Sequence, residues 1–185
     1  MKYFLLLTGI VLSLCLSSQN LVDTTKSENK NVLLEEYTGR KCSYCPEGHK
    51  IAAAIKAANS DDVVLMRIHT GYYAPPSYPN FNTIFGQVLA NQSEITGYPA
   101  GTINRHVFSG NSTSMNRNAW DYASNQILNQ TAVVNIGMNA VIDTANRNLF
   151  VEVELFYTKN QSVNFNRINV VVLQDNIVGS QVGAS

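Results

Sequence analysis

The chain has 185 residues, enough for one to two domains, and its 45% hydrophobic and 14% charged content is ordinary for a globular protein. Thirteen basic and thirteen acidic residues cancel. No charge surplus supports a polyanion-binding surface, and nucleic acid is not expected as a partner.

At the N-terminus Lys2 precedes a largely apolar stretch from Tyr3 to Leu16, followed by Ser17 and Ser18. This is the layout of a secretory signal, and the stretch is too short for a comfortable membrane span. Residues 1–18 are therefore expected to be a signal peptide of an exported chain, cleaved near Ser17 or Ser18. The run Leu12-Ser13-Leu14-Cys15 approaches a lipoprotein signal, but Leu14 is larger than the small residue expected before a lipidated cysteine; the other reading is an apolar signal-core cysteine. Residues 19–30 are polar and read as a linker.

The run Val32-Leu33-Leu34-Glu35-Glu36-Tyr37-Thr38 predicts a strand buried on both faces at first and ending at Gly39. Just past it stands Arg40-Lys41-Cys42-Ser43-Tyr44-Cys45-Pro46. Two thiols separated by two residues at a helix start can close a disulfide within one turn, and the helix dipole stabilises the thiolate of the first. Removal of Cys15 with the signal leaves Cys42 and Cys45 as the pair of the mature chain. So short a loop removes little unfolded-state entropy, so reactivity is a better reason for the pair than stabilisation.

Ile51, Ala52, Ile55 and Ala58 recur at helical spacing over residues 47–58, and residues 63–69 form a second apolar strand. Strand, dithiol, helix and strand imply a right-handed crossover and a parallel pair. Residues 70–81 are a proline-containing loop rich in rings, which either cover a core edge or form a substrate-contacting rim. A short helix is expected over about 81–91.

Pro99 lies immediately before a strand-like run, where a cis peptide is plausible. Ser112 and Thr113 predict the cap of a helix from about Ser114 to Asn129, with an inward stripe at Met115, Ala119, Trp120, Ala123 and Ile127. From Thr131 the pattern alternates. Val134 to Ile142 and Leu149 to Tyr157 predict two antiparallel strands around a turn near Asn146, and Ile168 to Leu173 a third. Three strands fall short of a stable sandwich, so the β-rich region is expected to be truncated.

Cys42, Cys45 and His49 also stand at C-x2-C-x3-H spacing, with His69 and His106 elsewhere. A structural zinc site needs about four ligands, and with the histidines in separate segments the expectation is no metal and no cofactor.

Strand, C-x-x-C-Pro, helix, strand, inserted loop and Tyr98-Pro99 before another strand resemble the thioredoxin-like fold from about Asn31 to Gln130. More narrowly, residues 32–39, the Cys42 to Pro46 motif, Arg67-Ile68-His69, Tyr98-Pro99 through Asn104-Arg105, and Asp175 to Gln181 resemble the outer membrane protein 28-related family. That family joins a thioredoxin-like domain to a β-rich region. The resemblance implies an α/β fold with a thioredoxin-like domain over 31–130, and over 131–185 the start of an antiparallel, sandwich-like β domain.

It also implies placement in the periplasm, outer membrane or cell surface. By motif position Cys42 is the attacking thiolate, favoured by Arg40, Lys41 and the helix N-terminus, and Cys45 the resolving thiol. Pro99, in cis, faces the dithiol and leaves the backbone of Tyr98 free to pair with an extended substrate. Glu36, six residues before Cys42, stands where thioredoxins carry a buried acid that moves a proton from the resolving thiol; either it or Glu35 is the inward carboxylate. Ser43 and Tyr44 tune reactivity, and Tyr44 joins Tyr98 at the substrate face. Two functions follow: thiol–disulfide exchange on protein thiols, disulfides or extended peptide segments, or a non-enzymatic surface or binding protein that keeps the fold as scaffold.

Overall fold

In the computed structural model, residues 20–160 and 165–183 are described; the expected signal peptide and Cys15 lie outside them. A four-stranded sheet in the order β2-β1-β3-β4 forms the centre. Strand β1 (Val32–Thr38) is followed by α1 (Cys45–Ala58) and by β2 (Val63–His69), which runs parallel to β1. Both strands have the bounds that their apolar runs predict; β1 is buried along nearly its whole length, where a strand shows little polar alternation, whereas β2 leaves Val64 and Arg67 exposed.

Helix α2 (Ile84–Gln92) starts three residues later than expected, at the cap formed where the Thr83 hydroxyl accepts a hydrogen bond from Gly86 N–H at 2.9 Å. Strand β3 (Ala100–Ile103) then pairs antiparallel with β1. The helix expected from Ser114 begins later. Met115–Asn116 (β4) instead pairs with the free edge of β3, and the Asn116 side chain caps a 3₁₀ turn at Arg117–Ala119 leading into α3 (Trp120–Leu128). Edge pairing and an Asn cap outcompete the helix that Ser112 suggests; the Ser112 hydroxyl accepts from Ser114 N–H within its own turn.

Helices α1 and α3 pack on one face of the sheet. Leu34, Ile55, Val63, Ile103, Trp120 and Ile127 form the larger core there, each such side chain contributing on the order of 1.5–3 kcal/mol by burial. The other face carries Tyr37, Met66, Ile68 and Ala90 against α2.

Strands β5 (Val134–Asp143) and β6 (Asn148–Tyr157) form a separate antiparallel hairpin. Its apolar stripe is largely outward, with Ile136, Met138 and Ile142 exposed, while Asn135 and Gly137 are buried on the opposite side. The covering segment is residues 20–30, expected as a linker. The Asn135 amide donates to the carbonyls of Asp23 and Lys26 at 2.8 and 2.7 Å and accepts from Glu28 N–H at 3.0 Å, and Ala132 N–H donates to the Glu28 carbonyl at 2.7 Å. The expected third strand does not form. Residues 168–173 are exposed and have no paired neighbour among the described residues, and an unpaired run makes no ladder.

Candidate functional site

The turn after β1 sets the position of the dithiol. Cys42 N–H donates to the Gly39 carbonyl at 2.9 Å, and Cys45 N–H to the Cys42 carbonyl at 3.3 Å. Helix α1 then begins at Cys45 with Pro46 in its first turn, where a missing N–H leaves no intrahelical bond unmade. Cys42 and Cys45 are joined as a disulfide with their Cα atoms 5.4 Å apart. Cys45 is fully buried and Cys42 is only 2% exposed.

Two of the sequence-selected residues meet one turn into the same helix. Glu36 and Pro99 are both buried, the Tyr98–Pro99 peptide is cis, and both side chains close on Gly48. A methyl group at Gly48 would lie 2.9 Å from Pro99 Cγ and 3.1 Å from Glu36 Oε1, so the close approach requires glycine. The Glu36 carboxylate has two basic side chains as neighbours. Arg67 donates from Nε to Oε2 at 3.0 Å, and His49 Nδ1 lies 2.8 Å from Oε1 without hydrogen-bond alignment, leaving both of those atoms buried and otherwise unpartnered.

Sequence parity left Glu35 and Glu36 as rivals for the inward position; both are fully buried. Adjacent strand residues face opposite sides. Glu35 points to the α2 side, where Arg105 grips it through Nε and Nη2 at 2.5–3.0 Å and the Thr102 hydroxyl donates at 2.7 Å. The Arg105 guanidinium is held above its ordinary range, chiefly by these bonds. Tyr37, beside Glu35, is pushed up to about 12 mainly by burial.

Rings gather on the loop that is tied to the motif. Tyr44 is exposed, as are Tyr72 and Tyr78, and Tyr73 stacks edge-on with Tyr72 and with Tyr98 at centroid distances of 5.3 and 5.9 Å. Lys41 N–H donates to the Tyr73 carbonyl at 2.9 Å and ties this loop to the motif. Tyr98 is half-buried, and burial raises its phenol above the ordinary value. Arg40 does not reach across the sulfurs: its Nη2 donates to the Ser77 hydroxyl at 2.5 Å and lies 3.5 and 3.4 Å from the carbonyls of Ser77 and Tyr78.

A remote segment that motif spacing does not reveal covers the motif. The Gln181 amide donates to the carbonyls of Cys42 at 3.0 Å and Gly39 at 3.3 Å, and Val182 N–H donates to the Arg40 carbonyl at 2.8 Å. Gly183, at φ +78°, lies so close to Ser43 that a Cβ would sit 2.6 Å from its carbonyl oxygen. This contact accompanies the burial of Cys42.

The remaining histidines are dispersed. His69 stacks on Phe81 at 5.1 Å, His106 on Phe108 at 4.7 Å, and His49 faces Glu36. Burial, then the charge of His49, holds His69 down to about 4, with Arg67 and Arg40 adding to this and Glu36 opposing it. The motif thus holds an oxidised C-x-x-C pair at the start of α1, with a buried carboxylate packed on Gly48 one turn further along the same helix.

The family model for Outer membrane protein Omp28 matches residues 87–184, more than half of the chain. Among curated proteins, none matches. Among solved structures, HBP35 of Porphyromonas gingivalis is similar at 25% identity and a TM-score of 0.45, over 63% of this chain and 39% of that one. The chain therefore spans well under half the length of that protein. No helix among the described residues is long and apolar enough to cross a membrane. On the extent of the family match, the chain belongs to the outer membrane protein Omp28 family, a family of the cell envelope.

Proposed function

We propose that the chain is an exported envelope protein that exchanges disulfides with protein substrates, working in the periplasm or at the outer-membrane surface. In this reading residues 31–130 are a thioredoxin-like domain and residues 131–185 a β-rich region. The observation that carries it is the Cys42–Cys45 disulfide at the start of α1, with Glu36 and cis Pro99 both packed on Gly48 one turn further on. The parallel β1–α1–β2 unit, with β3 antiparallel beside β1 and directly after Pro99, supports the fold assignment.

A protein dithiol is the reductant. One substrate thiolate attacks Cys42 Sγ, forming a mixed disulfide and breaking the Cys42–Cys45 bond, and Cys45 leaves as a thiolate that takes up a proton. The second substrate thiolate then attacks its own mixed-disulfide sulfur. Cys42 departs as thiolate, and the substrate carries the disulfide. Run in reverse, Cys42 is the attacking group and Cys45 resolves. Glu36 serves as the proton store for Cys45, and His49, mostly buried but reaching the surface, links that carboxylate to solvent. Tyr98 and Tyr44 flank the extended substrate.

A trapping experiment tests this. In the native envelope, Cys45→Ser should accumulate mixed disulfides at Cys42, seen as slower bands on non-reducing gels, and the double serine variant should show none. No adducts, together with no catalysed turnover of a model disulfide, would sink the reading. The alternative, a non-enzymatic surface or binding protein, would then stand, favoured by the 2% exposure of Cys42 beneath Gln181 to Gly183.

A further inference from the structure

Beside the dithiol, a cavity of about 240 Å³ opens between the sheet edge and residues 177–181, lined by Arg40, His49, Arg67 and His69 on one side and by Ser180 and Gln181 on the other. No aspartate or glutamate lines it. The charges around it do not cancel. Glu36 lies behind the wall and is shared between Arg67 and His49. Arg40 has no carboxylate partner among the described residues: its Nη2 is met only by neutral oxygens of Ser77 and Tyr78, and its buried Nε has no acceptor. A guanidinium with a buried, unmatched donor favours a ligand that brings negative charge and planar or tetrahedral acceptors.

We propose that this cavity is an oxyanion-binding site in which Arg40 and Arg67 hold a carboxylate or a tetrahedral oxyanion, with the Ser180 hydroxyl and Gln181 amide as neutral donors. Arg40 occupies two places in the site at once. Its carbonyl receives Val182 N–H while its side chain lines the cavity, so the ligand sits directly against the segment that covers Cys42. The favoured source is an acidic side chain on the protein segment presented to the dithiol, an assignment that rests on the exchange reading above; the site itself does not. Neutral His69 is a reporter at the wall. A bound anion favours its imidazolium, so its midpoint rises from about 4 when the site fills.

The experiment follows the His69 ring by NMR across pH in the full chain, with sodium sulfate, with the blocked peptide Gly-Glu-Gly, or with its Gly-Gln-Gly counterpart, all at matched ionic strength in chloride. A saturable upward shift of roughly half a unit or more is expected with sulfate and with the glutamate peptide but not with the glutamine peptide. Arg40→Gln should abolish it, whereas Lys41→Gln should leave it unchanged. A shift with sulfate alone supports the oxyanion site and overturns the assignment to a protein carboxylate. No saturable shift with either anion, or a shift that survives Arg40→Gln, overturns the site. The wild-type arms need no variant to fold. The readout does not involve sulfur chemistry, so a failure of trapping at Cys42 and a failure of anion binding are separate results.

Discussion

At the scale of single residues, the environment of Glu36 and its neighbours separates the electrostatics of the two sheet faces. Glu36 and Glu35 are both buried, but Arg67 and His49 attend the first while Arg105 and Thr102 attend the second. The two acids therefore carry separate sets of partners on opposite faces of β1. His69, two residues beyond Arg67 on β2, is held neutral down to about 4 by burial and then by nearby positive charge, against about 6.5 for a free ring. Between those values the unfolded chain binds a proton that the folded chain does not, so folding weakens as pH falls from 6.5 towards 4. Urea unfolding at pH 7 and pH 4.5 should show a loss of roughly 1–2 kcal/mol that His69→Gln lacks, less than the full displacement would give because the ring is partly solvated. An equal pH dependence in the variant would remove His69 as its source.

At the scale of elements, the segment around Gln181 acts on the dithiol through its backbone. Three carbonyls of the Gly39 to Cys42 turn receive donors from Gln181 and Val182. Gln181→Ala removes two of these bonds, and at about 1 kcal/mol net the cover opens roughly five-fold more often. The rate at which dithiothreitol reduces Cys42–Cys45 should rise by that factor, measured by alkylation and mass; an unchanged rate would mean that the segment does not gate the sulfur. Motif spacing could place Cys42 and Cys45 at a helix start and Pro99 before a strand because those signals are local, a two-residue gap and a proline ahead of an apolar run, whereas the strand pattern alone left Glu35 and Glu36 as rivals. Arg67 against Glu36 and Gln181 against Cys42 are joined across 31 and 139 residues, and no periodicity encodes such a pairing. The start of α3 was misplaced for a local reason, since Ser112 and Asn116 are both competent caps and only the edge of β3 chooses between them.

Across the whole molecule, the polar segment that leads into β1 is also the cover of the hairpin. Alternation in residues 134–142 and 149–157 predicts β5 and β6 correctly, yet the buried side is that of Asn135 and Gly137. A buried asparagine that satisfies three backbone groups of residues 23–28 is invisible to a hydrophobic pattern. Asn135→Ala strands those groups at a cost of about 1–3 kcal/mol. Limited proteolysis should then cut residues 20–30 faster while the helical circular dichroism of the α/β unit persists; unchanged cleavage would show that other contacts hold the segment. The paired carboxylates of β1 have a consequence for folding as well. Glu36 lies opposite Arg67 on β2, and Glu35 opposite Thr102 on β3. Were the central strand threaded one residue out of step, each glutamate would swap faces and lose its arginine, and a buried charge stripped of its partner costs about 3–5 kcal/mol. The two acids thus act as an alignment key: they penalise the off-by-one sheet twice, once on each face.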